Sequence, residues 1–146
     1  MGLQIKIVNQ SPYQLPGYAT EGASGMDIRA HLAKPILLKS LERYLIPTGL
    51  SIQLPPGYEA QIRPRSGLAV KQGLTCLNSP GTIDSDYRGE IKVVVVNLSG
   101  EEQAVHPGER IAQMVIQKVE KAIWQQVTAL EDTTRNSGGF GSTGKL

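Results

Sequence analysis

The sequence predicts an all-β chain, a sandwich or barrel of short strands with one short helix, and three features predict it. Sixteen glycines and nine prolines punctuate the 146 residues at short intervals (Gly 16, Pro 9). Between them lie short runs that alternate apolar with polar residues or carry β-branched side chains, as a pleated, half-buried surface requires. Only one stretch has the caps and composition of a helix, and there is neither an internal repeat nor a domain linker.

Taken in chain order, residues 4–8 alternate as an opening strand. Residues 44–54 and 58–62 are the next strand-like runs, separated by Pro55-Pro56-Gly57. Residues 66–72 are the helix: Ser66 is placed to cap it, Leu68, Ala69 and Val70 suit its interior, and Gly73 ends it. Residues 90–98, 110–119 and 122–127 complete the strands, the fifth of them alternating through Ile111-Ala112-Gln113-Met114-Val115-Ile116-Gln117. The run Ile91 to Leu98 is apolar on both faces, so it is covered twice, either by a second subunit or by loops over the back of a central strand.

At this length one compact domain is expected. Hydrophobic residues make up 40%, charged ones 19%, and the net charge is +2, with Lys and Arg scattered. That balance argues against a nucleic-acid or membrane-surface partner, since either wants clustered cations. No apolar run has signal-peptide or membrane-spanning length, and the single Cys76 forms no internal disulfide, so a cytoplasmic address is expected. The tail from Arg135 to Leu146 is glycine and hydroxyl residues around one Phe140, too little apolar area to order itself. Residues 1–134 are therefore expected as the β domain and residues 135–146 as a flexible arm.

Chemistry-bearing residues are sparse. His31 and His106 have no partner at ligand spacing, one cysteine makes no zinc set, and no Gly-x-Ser-x-Gly elbow is present. Gly139 to Lys145 resembles a phosphate loop, but the required Ser or Thr and the following helix are missing. Of the aspartates Asp27, Asp84, Asp86 and Asp132, two lie in a hairpin-like stretch from Gly81 to Glu90. Asp86 suits the turn. Asp84 follows apolar Ile83 at a strand end, where a partly buried, positioned carboxylate could serve as a general base.

Five segments taken together are more specific. Ser24-Gly25-Met26-Asp27-Ile28, Pro64-Arg65-Ser66-Gly67-Leu68-Ala69, the stretch from Gly81 to Gly89, Gly108-Glu109-Arg110-Ile111-Ala112-Gln113 and the stretch from Arg135 to Gly144 resemble, in order, the five motifs of the trimeric dUTPase family. The resemblance implies a jelly-roll-like β-barrel of the β-clip type, assembled as a homotrimer. Each active site would draw its first, second and fourth motifs from one chain, the third from a neighbour and the fifth from the remaining one. It implies hydrolysis of dUTP to dUMP and pyrophosphate, limiting uracil in DNA and supplying dUMP for thymidylate synthesis.

On this resemblance Asp84 would activate the water that attacks the α-phosphorus. Mg²⁺ would arrive on the triphosphate, with Asp27 touching its water shell or organising the site. Arg65, Ser66, Gly67 and Gln113 would bind phosphate oxygens, and Arg110 would be a buried structural partner. Asn78, Thr82 and Ile83 would read uracil, with Lys92 a weaker contributor, and Tyr87 would pack on the sugar. Arg135, Gly141, Ser142 and Thr143 would clasp the outer phosphates while Phe140 covers the base. The related dCTP deaminase is disfavoured because its catalytic glutamate would fall near Val94, in an apolar run. A regulatory binding protein on the same fold is the other alternative.

Overall fold

The structure, a computed structural model, describes residues 2–144. Met1 and the end of the expected arm, Lys145 and Leu146, lie outside the described residues. The elements run β1 (Lys6–Asn9), β2 (Met26–Arg29), β3 (Ile36–Leu38), β4 (Arg43–Pro47), β5 (Leu50–Gln53), β6 (Tyr58–Arg63), α1 (Ser66–Gln72), β7 (Leu74–Cys76), β8 (Gly81–Ile83), β9 (Lys92–Asn97), β10 (Gln103–Val105) and β11 (Arg110–Lys118). Every paired strand is antiparallel.

The strands fall into four sheets: β1-β5, β10-β3, β4-β9-β7 and β2-β11-β6-β8. The all-β class and its one helix are as expected. A closed barrel is not found, because none of these ladders returns to pair its first strand with its last. Instead the sheets lean on a common core of Ile28, Ile46, Leu74, Ile91, Val93, Val95 and Val105, each nearly inaccessible, with Ile62 and Met114 beside them.

Three sequence expectations change. The single run 44–54 is two strands, broken where Gly49 takes φ 72 and a Cβ would stand 2.8 Å from the Ser11 backbone nitrogen. Buried Thr48 donates its hydroxyl to the Ile91 carbonyl at this break. Residues 122–127 form no strand: Ile123 and Trp124 are almost fully exposed, with no ladder to join. Ser66 is the first helical residue of α1 and not its cap; Arg65 holds that place in extended geometry without a side-chain cap bond, its guanidinium being drawn to Asp27. Gly73 does end the helix, at φ 65, donating its N–H to the Ala69 carbonyl.

The doubly apolar run is explained largely within one chain. β9 is the middle strand of its sheet, and both Val95 and Val96 are buried although they face opposite ways. Neighbouring Leu45 and Leu98 remain open to solvent.

Candidate active site

The hairpin from β8 to β9 frames a cleft of roughly 530 Å³, a size suited to a small-molecule ligand. Asn78, Thr82, Ile83, Asp84, Tyr87 and Lys92, all expected to serve the base, sugar or water, line it together. Its apolar wall comes from Leu45, Ile62, Val93 and Val94. This follows from pairing: β8 lies against β6, with Gln61 opposite Thr82 and Ile62 opposite Gly81, while β9 belongs to the facing sheet. Gly81 is the close-contact position, its missing Cβ standing 3.3 Å from Asn78 Nδ2.

Asp84 is exposed, not partly buried as expected, because β8 ends one residue before it and the chain leaves the sheet there. The Tyr87 N–H donates to the Asp84 carbonyl at 3.2 Å, closing a turn. The Tyr87 hydroxyl then donates to the Glu90 carbonyl at 2.9 Å. Glu90 was not anticipated; its carboxylate accepts the Gly49 N–H at 2.8 Å and so pins the returning strand. Its only sequence signal is its place at the end of the hairpin-like stretch that begins at Gly81. Cys76 also lines the cleft, but burial pushes its thiol pKa up to about 11, so it stays a protonated wall residue.

A second cluster lies on the opposite edge of the four-stranded sheet. Asp27 on β2 accepts from Arg65 Nε at 2.8 Å and from Arg110 Nη1 at 3.4 Å, one carboxylate oxygen for each. Arg65 also donates to the Arg110 carbonyl at 3.3 Å. Arg110 is thus a structural partner, though an exposed one and not buried, because it enters β11 at the sheet margin. Gln113, opposite both Asp27 and Arg63 in the ladder, donates to the Pro64 carbonyl at 3.0 Å. Ser66 and Gly67 sit beside this cluster at the exposed start of α1. Three arginines, Arg29, Arg65 and Arg110, border one open depression here. Such a surface attracts phosphate oxygens.

No three His, Cys, Asp or Glu side chains converge on a point among the described residues. Asp27 could therefore meet a divalent ion only as one donor among waters and phosphate oxygens, and with its Arg pairs retained.

Within one chain the two clusters are not brought together. They sit on β8 and β2, the outer strands of the order β2-β11-β6-β8, about 14 Å apart at the usual strand spacing. The tail joins neither. Arg135 donates to the Gly138 carbonyl at 2.7 Å, Ser142 N–H to the Gly139 carbonyl at 3.0 Å, and Phe140 is fully exposed. Arg135, Phe140, Gly141, Ser142 and Thr143 line neither the cleft nor the arginine depression.

Comparison with known proteins places this architecture. Residues 11–144 match the family model described as dUTPase. A deoxyuridine 5'-triphosphate nucleotidohydrolase of Fusobacterium nucleatum is 54% identical over 143 residues, covering 98% of each chain. One from Finegoldia magna is 57% identical over 142 residues, 97% of this chain and 99% of its own. Among solved structures, a mutant dUTPase of Staphylococcus bacteriophage 80alpha with dUpNHpp superposes at TM-score 0.85 with 24% identity, over 97% of this chain and 98% of that one. The five segments that frame the two clusters and the tail all lie within the matched span, and the chain belongs to the dUTPase family.

Proposed function

We propose that the chain hydrolyses dUTP to dUMP and pyrophosphate as a homotrimer, with Asp84 as the base for the attacking water. The carrying observation is that Asn78, Thr82, Ile83, Asp84, Tyr87 and Lys92 line one cleft of nucleoside size. The names of the relatives support the same substrate.

In-line attack at phosphorus needs a base for water and cations for the charge. Asp84, exposed at the cleft mouth, takes the water's proton as the water reaches the α-phosphorus, and pyrophosphate leaves. Mg²⁺ carried by the triphosphate would supply counter-charge to its oxygens, with Asp27 placed to touch its water shell. Arg65, the Ser66 and Gly67 amides and Gln113 bind phosphate oxygens, while Asp27 keeps Arg65 and Arg110 in place. Asn78 and the backbone near Thr82 and Ile83 read the uracil edge, where a mismatched base leaves buried groups unpaired. Tyr87 packs on the sugar. The arm from residue 135 closes the site, Arg135 with Gly141, Ser142 and Thr143 on the outer phosphates and Phe140 over the base. The reaction limits uracil incorporation into DNA and yields dUMP for thymidylate synthesis.

Two observations favour the trimer. The base-reading cleft and the arginine cluster stand on opposite edges of one sheet, so a neighbouring chain can bring them face to face. A lone chain also leaves Ile123, Trp124 and Leu130 in water, and it leaves open an apolar groove lined by Leu3, Ile5, Ile7, Leu15 and Tyr18.

Purified protein with Mg²⁺ should release pyrophosphate from dUTP much faster than from dTTP, dCTP or UTP. Ammonia from dCTP would mean deamination instead, which the apolar Val94 in the cleft wall disfavours. Tight dUTP binding without turnover would mean a regulator.

A further inference from the structure

Gly89 has no conformational reason to be glycine. It is not among the residues with positive φ, so its backbone is open to any residue. What excludes a side chain is Tyr87: a Cβ on Gly89 would stand 2.3 Å from the Tyr87 hydroxyl oxygen, 2.5 Å from Cζ and 2.9 Å from Cε2. Real Cβ contacts do not reach such distances, so even a methyl group would displace the ring. The ring is tethered at its far end by the bond to the Glu90 carbonyl, and Glu90 is itself anchored to Gly49. Gly89 is thus the surface against which the phenol end of Tyr87 packs.

We propose that Gly89 is a positioning residue that sets deoxyribose selectivity by seating the Tyr87 ring. This rests on the reading that Tyr87 packs on the sugar. With the ring seated, its face fits a 2′-methylene and crowds a 2′-hydroxyl. With the ring lifted, that face turns away, dUTP loses its packing and UTP loses its clash.

The test measures kcat/KM for dUTP and UTP in wild type, G89A, Y87A and the double variant, with thermal denaturation of each to verify folding. Gly89 is solvent-exposed, so G89A should fold. Its dUTP-to-UTP ratio should fall roughly tenfold, about what a single group's fit in a pocket decides, chiefly through KM. In the Y87A background the same change should do nothing more, since no ring remains to seat. Y87F, which keeps the ring over Gly89, should retain most of the ratio. If Y87A alters the ratio and G89A does not, the proposal fails while the reading of Tyr87 stands. If Y87A leaves the ratio unchanged, the reading of Tyr87 fails. An equal further loss from G89A in the Y87A background would also overturn the seating role.

Discussion

A carboxylate that must deprotonate water needs an open side, and Asp84 has one on a backbone held in a turn. It stands beyond the last hydrogen-bonded residue of β8, its side chain exposed while its carbonyl is held by the Tyr87 N–H. The Asp84→Asn change preserves that shape and removes the proposed base. Turnover should fall by roughly 10²–10⁴, the usual contribution of a positioned acid or base, while dUTP affinity by calorimetry stays within a few-fold. Unchanged turnover would remove Asp84 as the base. Asp27 illustrates the opposite design. Each of its oxygens accepts from a guanidinium group, so the role proposed for it is to hold Arg65 and Arg110.

At the level of elements, the turn after β9 keeps its sheet in register. Asn97 is inaccessible, donates to the Leu38 and Glu101 carbonyls at 2.8 and 2.7 Å, and accepts the Ser99 N–H and hydroxyl. It thereby ties β9 to β3 and to the approach to β10. Asn97→Ala leaves two carbonyls and an N–H short of partners, a loss of roughly 3 kcal/mol, and Tm should drop by about 10 °C in a thermal melt. Activity per folded molecule should persist, as Asn97 lines neither the cleft nor the arginine depression; a Tm within about 2 °C of wild type would contradict this linking role. The same scale explains what the sequence made legible. Long runs such as 58–62 and 110–119 show themselves because period-two patterning needs several residues to register. Strands β2, β3, β7 and β10, three or four residues each, are too short for that and are defined by partners distant in the chain. Gly49, hidden inside an apolar run, breaks it for a reason visible only in space, the close approach of Ser11. The site residues were legible as ordered motifs, but their exposure was not. Burial of Asp84 or Arg110 depends on where a sheet ends, and local sequence does not record that.

On the scale of the whole molecule, the two side-chain clusters and the tail stand apart within one chain. The cleft lies at the β8 edge, the arginine cluster at the β2 edge, and residues 133–144 bond only among themselves in the hydrogen bonds of the described tail. If each working site draws these pieces from different chains, defective chains should repair one another. Asp84→Asn chains lack the base but keep the arm, and chains ending at Thr134 keep the base but lack the arm. Alone, each should form folded trimers with turnover reduced roughly hundredfold or more, the scale set by losing a base or the closing element. Mixed, unfolded and refolded together at equal amounts, they should regain about one quarter of wild-type turnover, because random assembly in a threefold oligomer gives half the sites an intact base and half of those an intact arm. Sedimentation should show the same trimer throughout. Activity no greater than the average of the two parents would mean that each chain builds its site from its own residues. Full activity in the truncated chain alone would make residues 135–146 a frayed end and nothing more.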